Sequence, residues 1–132
     1  MQNQLNAVAA FHQAFNVGVS QNPTTNVTNE IALLRHRLMA EENNEYLEAV
    51  ENKDIVEVAD ALGDMLYILC GTILTHGMQH IIEAVFAEIQ ESNMSKLGAD
   101  GKPIYRGDGK VMKGPHYHKP DLKQFLDQSQ TL

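Results

Sequence analysis

Residues 41–45 read Glu-Glu-Asn-Asn-Glu, and residues 57–64 read Glu-Val-Ala-Asp-Ala-Leu-Gly-Asp. Both stretches lie in helix-forming sequence, with Glu51-Asn52-Lys53-Asp54 between them. Glu42 and Glu45 are spaced i, i+3, and Asp60 and Asp64 are spaced i, i+4, so each pair projects from one side of its helix. A helical hairpin centred near Lys53 sets Glu42 level with Asp64, and Glu45 beside Ala61 and Asp60. Like charges held this closely repel, and removing water from them costs more still. A positive group is therefore expected between them. Oxygen-only ligands suit a hard divalent cation, Mg²⁺ or Mn²⁺, rather than zinc.

A Glu-rich helix by itself is usually a solvated face. The second acidic stretch argues otherwise. Asp is a poor residue for a helix interior, yet Asp60 and Asp64 interrupt the most apolar helix of the chain, among Val56, Val58, Leu62, Met65, Leu66, Ile68 and Leu69. No Lys or Arg lies between Asp54 and Glu91 to neutralise them locally. The metal-ligand candidates are Glu42, Glu45, Asp60 and Asp64, with Glu57 and Glu41 behind them as extra ligands or as the group that orients a water at the metal.

The 132 residues make one domain with a helical body over 1–92 and a basic tail over 93–132. The body holds 13 acids against three bases, and the tail four acids against seven bases. A body at −10 repels a nucleic-acid backbone, so a polymer partner is not expected. An acidic metal site with a local supply of Lys is instead what a small polyphosphate needs. The single Cys70 allows no disulfide within the chain and reads as a buried structural thiol. With no basic-then-apolar leader and no uncharged run of membrane-spanning length, a cytoplasmic protein without a membrane partner is expected.

Hydrophobic spacing predicts a first helix over 3–16, a loop over 17–28, and a second helix capped by Thr28 or Asn29. Asp54 caps a third helix, with Glu57 completing a capping-box-like pair, and that helix ends between Gly71 and Gly77. A fourth runs from about Met78 to Met94. Beyond Asn93, Asp100-Gly101 and Asp108-Gly109 mark turns around Lys102–Arg106 and predict a small hairpin or ordered loop. The fold class is all-α: a four- to five-helix bundle with an irregular Gly/Lys-rich C-terminal segment.

Glu-Glu-x-x-Glu at 41–45, followed by Ala61-Leu62-Gly63-Asp64-Met65-Leu66-Tyr67, resembles the all-α nucleoside triphosphate pyrophosphatases, which include MazG, dimeric dUTPase and phosphoribosyl-ATP pyrophosphatase. Phe11-His12, residues 54–60, Gly71-Thr72, Ser92-Asn93-Met94-Ser95-Lys96 and Lys110-Val111-Met112-Lys113-Gly114-Pro115 through Pro120-Asp121-Leu122 look like the phosphoribosyl-ATP pyrophosphohydrolase-like branch. The resemblance spans nearly the whole chain. It departs at Ala61, where the superfamily's second acidic motif, Glu-x-x-Asp, has its Glu if read onto Asp64; read onto Glu57 and Asp60, the motif fits.

The resemblance implies metal-dependent hydrolysis of a nucleoside triphosphate to the monophosphate and pyrophosphate, in a homodimer or homotetramer. Glu41 is read as the base that takes the proton of water. Lys96 and Lys113 are expected to neutralise the departing pyrophosphate, Asn93 to donate to a phosphate oxygen, and Tyr117 to join them in binding substrate. His12 matches the family's Phe-His pair and is read either as a substrate contact or as core. The paired histidines His116/His118 and His76/His80 are not expected to bind metal. Phosphoribosyl-ATP hydrolysis is an alternative, and so is a non-enzymatic helical interaction module that keeps the fold. The residues do not name the base or sugar; a pyrimidine deoxynucleotide is the preference by analogy.

Overall fold

The computed structural model describes residues 1–127 and is all-α. Its helices are α1 (Gln2–Ala14), α2 (Asn29–Glu51), α3 (Ile55–Thr75), α4 (Ile82–Met94) and the short α5 (Lys123–Asp127). Two compact units divide it: Met1–His80, with α1 to α3, and the chain from Ile81 onward, with α4 and α5.

In the first unit, α2 and α3 form the expected hairpin and α1 packs on α3. Thr28 caps α2, its Oγ1 accepting from the Ile31 N–H at 3.3 Å. Lys53 turns the chain in a left-handed conformation, φ 56°. Asp54 Oδ1 then accepts from the N–H groups of Val56 and Glu57 at 3.0 and 3.2 Å, satisfying two orphan donors of α3. The helix stops at Gly77, whose φ of +68° only glycine adopts freely. A Cβ there would also strike the Asn22 backbone. The loop before α2 is thus clamped against the end of α3. Ser20 N–H donates to Leu74 O at 3.0 Å, Thr24 N–H to His76 O at 3.0 Å, and Ser20 Oγ to Thr75 O at 2.7 Å.

The core of this unit is small: Leu5 and Val8 of α1, Ala49 of α2, and Ala61, Cys70, Ile73 and Leu74 of α3, with His12 buried among them. Alanines at 49 and 61 let the two hairpin helices approach closely. Many larger side chains are left in the open, including Leu47 (56% exposed), Leu62 (50%) and Val56 (70%). By length and mean hydropathy α3 could cross a membrane. It carries Glu57, Asp60 and Asp64, however, and packs on both α1 and α2, as the central helix of a bundle does.

In the second unit, α4 begins at Ile82, four residues later than its hydrophobic spacing predicts. The segment before it is spent on turns: Met78 N–H closes back on Ile73 O, and the Gln79 amide donates to Ser20 O at 2.9 Å. The expected small hairpin forms: Tyr105 and Val111 make an antiparallel bridge, with Arg106 N–H donating to Lys110 O at 2.8 Å and Met112 N–H to Ile104 O at 2.7 Å. Gly101 and Gly109 take positive φ at the two turns. Ser92, buried at 4%, ties α4 to the tail by donating from Oγ to His118 O at 2.8 Å.

Candidate active site

The charges of the two acidic stretches reach each other at Glu42. Glu42 is half-buried on α2, and its carboxyl is pushed above the ordinary glutamate range. Loss of water is the largest cause, followed by the negative charges of Glu45 and Asp64, a hydrogen bond with Glu45, and the charge of Asp60. Glu45, Asp60 and Asp64 thus lie within electrostatic reach of Glu42. Glu45, Asp60 and Asp64 are exposed, and among the described residues none of the four makes an ion pair.

Nor do any three of the described His, Cys, Asp or Glu side chains converge tightly enough to form a finished metal cage. The donor set nevertheless fits a hard cation. Among the described residues, the buried Glu42 Oε2 has no hydrogen-bond partner, which is costly for a carboxylate oxygen. A divalent cation meeting that oxygen would relieve both the orphaned acceptor and the mutual repulsion. Ala61, 2% exposed, lies in the packed seam of the hairpin. That position serves close helix approach, and a Glu there would have to find room in the contact.

Of the other candidates, Glu41 is exposed on α2. Glu57 lines a hollow of about 340 Å³ at the turn end of the hairpin, with Glu45, Glu48, Ala49, Asn52 and Asp54. His12 is core: it is 2% exposed, and its Nδ1 lies 3.2 Å from Gly18 O. Burial is the main cause that holds its pKa below the ordinary value, with the nearby positive charge of Arg35 adding to it and the Gly18 bond opposing it.

The candidates of the second unit are paired among themselves. Lys96 Nζ donates to Asn93 Oδ1 at 2.7 Å, and Lys113 Nζ lies 4.6 Å from the centroid of the Tyr117 ring. Outside these, Arg106 is engaged by Asp108, leaving it little freedom to serve a substrate.

Sequence reasoning passed over Arg35. It is half-buried on α2, without an acidic partner among the described residues. Burial lowers its guanidinium pKa from the ordinary value. The available signal was its spacing: Arg35 precedes Glu42 by seven residues, two turns along the same face of a helix.

The chain belongs to the phosphoribosyl-ATP pyrophosphohydrolase family, whose model matches residues 8–93. It is also similar to a candidate NTP pyrophosphohydrolase from Exiguobacterium sp. 255-15 of known crystal structure. That protein is 27% identical, with 97% of this chain and 94% of the other covered at a TM-score of 0.50. No curated protein matches the chain. The family match takes in both acidic stretches and ends at Asn93, the first residue of the basic tail.

Proposed function

We propose that this protein hydrolyses a nucleoside triphosphate to the monophosphate and pyrophosphate, using Mg²⁺ or Mn²⁺ held by Glu42, Glu45, Asp60 and Asp64. One observation carries the reading: the buried oxygen of Glu42, without a hydrogen-bond partner among the described residues and in the field of three further carboxylates. Such a charge cluster is unfavourable for the empty protein and favourable around a cation that also binds phosphate oxygens. A bound cation there supplies Lewis-acid polarisation of the phosphoryl group and a more acidic water. Glu41, exposed one residue from Glu42, is free to accept the proton of the attacking water, and Glu57 is the reserve ligand at the neighbouring hollow. Lys96, Lys113, Asn93 and Tyr117 are proposed for the pyrophosphate on the strength of their chemistry and motif. His12 is proposed as a positioning residue, since its ring is buried.

The reading includes a homodimer or homotetramer. The exposed Leu47, Val56 and Leu62 on the hairpin support it, as large apolar side chains that a partner subunit would cover. The family name supports a second reading, with phosphoribosyl-ATP as substrate.

The deciding experiment incubates the protein with Mg²⁺ or Mn²⁺ and a panel of nucleoside triphosphates plus phosphoribosyl-ATP, and resolves the products. Pyrophosphate and a monophosphate are expected. Orthophosphate and a diphosphate would exclude this reaction, and turnover of phosphoribosyl-ATP alone would favour the second reading.

A further inference from the structure

Beside Arg35 the first unit holds a cleft of about 440 Å³ between the loop that precedes α2, the first turns of α2, and Thr75. Its walls are largely aliphatic: Val17, Val19 and Val27 from the loop, Ile31 and Leu34 from α2. Asparagines, Ser20 and Thr28 supply neutral polar groups; among the described residues, Arg35 is the only charged one of the lining, and no acid lines it. The loop wall is preformed, since its backbone is bonded to Leu74 and His76 and its Ser20 hydroxyl to Thr75.

We propose that this cleft is the nucleobase pocket of the enzyme, and that Arg35 selects bases presenting carbonyl oxygens over adenine. The proposal rests on the nucleotide-hydrolase reading above. A phosphate is a poor occupant, because aliphatic walls would strip its water and a single guanidinium would not replace it. A base is a good one: its faces are flat and weakly polar, and its edge carries the acceptors. The guanidinium offers planar paired donors, which match a carbonyl oxygen near an unprotonated ring nitrogen, as in cytosine (O2 and N3) and guanine (O6 and N7), or a carbonyl oxygen alone, as in uracil. Adenine has no carbonyl to offer. Placement agrees with this chemistry. Arg35 stands about 10 Å along α2 from Glu42, on the same face, and Gly71 of α3, against which Arg35 lies, follows Asp64 by seven residues. A nucleotide laid along the α2–α3 seam therefore brings its base to Arg35 and its phosphates to the acids.

Gly71 and His12 position the guanidinium. A Cβ on Gly71 would lie 2.7 Å from Arg35 Nη1 and 2.9 Å from His12 Nε2, so the two side chains share the space a larger residue would fill. With Nδ1–H donating to Gly18 O, His12 turns an unprotonated Nε2 toward that space.

The test compares kcat/KM for UTP, CTP, GTP and ATP in the wild type, Arg35→Met and Arg35→Lys. The wild type is expected to favour at least one carbonyl-bearing base over ATP. In Arg35→Met that preference should shrink about tenfold or more, mainly through KM, with Arg35→Lys between the two because it keeps charge but loses the planar fork. A loss equal for every base, an unchanged preference, or a wild type that favours ATP would overturn the assignment. If no nucleotide is hydrolysed, the hydrolase reading fails, and calorimetric binding of the same nucleotides decides the pocket. Base preference that disappears in Arg35→Met supports it, and absence of binding overturns it. Should Arg35→Met fail to fold, Val27→Trp fills the cleft from the loop side. It is expected to raise KM about tenfold or more for every nucleotide, and an unchanged KM would count against the pocket.

Discussion

Glu42 of α2 and Asp64 of α3 lie across the hairpin seam from one another, and the charge of Asp64 helps to raise the pKa of Glu42. A half-buried carboxylate held in the field of a second acid weakens the metal-free protein. Their persistence in the fold makes sense where a cation joins them, so stability and metal binding should be linked.

Mn²⁺ or Mg²⁺ is therefore expected to raise the melting temperature of the wild type, by an amount that grows with cation concentration. Glu45→Ala and Asp60→Ala should abolish that rise. Glu42→Gln should melt higher than the wild type when both are metal-free at pH 7, because a desolvated charge has gone. Equal cation-induced shifts in all of these proteins would refute the assigned ligands.

Acidity should act on Glu42 and His12 in opposite directions. The folded pKa of Glu42 is raised, so its contribution is fully present below its unfolded value of about 4.5 and is lost as pH rises through the folded value. The folded pKa of His12 is lowered from 6.5, so its contribution is present above that value and is lost as pH falls toward the folded one. Melting metal-free protein between pH 8 and pH 4 should show a decline below about 6.5 that His12→Gln flattens. At pH 7.5, His12→Ala should cost about 2–3 kcal/mol through lost packing and the lost Gly18 bond.

Glu41→Gln tests the proton acceptor apart from the ligands. It is expected to lower kcat about a hundredfold or more while leaving the cation-induced rise in melting temperature in place. Loss of both together would make Glu41 a ligand instead.

Gly77→Ala should destabilise the fold by about 2 kcal/mol or more, since it adds a Cβ at positive φ and drives it into the Asn22 backbone. Chemical denaturation measures this directly. A neutral result would mean that the loop is not clamped against the end of α3.

Sedimentation at micromolar concentration is expected to give a mass of two or four times 14.7 kDa. Leu62→Glu, on the exposed face of α3, should shift it toward the monomer. Mixing an Asp60→Ala protein with a Lys113→Ala protein then asks whether the tail serves its own chain or a partner: recovered activity places it in trans.

The helical hairpin was legible in the sequence because its causes are local. Asp54 caps, Thr28 caps, the 3.6-residue period carries through α2 and α3, and two acidic pairs at helical spacing meet once the chain turns at Lys53. The start of α4 was not legible, because Met78 to Ile81 have helix-compatible spacing but are drawn into turns by bonds to Ile73 and, through Gln79, to Ser20 far along the chain. Only tertiary structure decided that His12 is core, that Ala61 fills the seam where a Glu was looked for, and that Arg35, among the described residues, stands without an acid beside an aliphatic cleft. Spacing along a helix reports which residues share a face, whereas burial and the want of a partner depend on what the rest of the chain brings against that face.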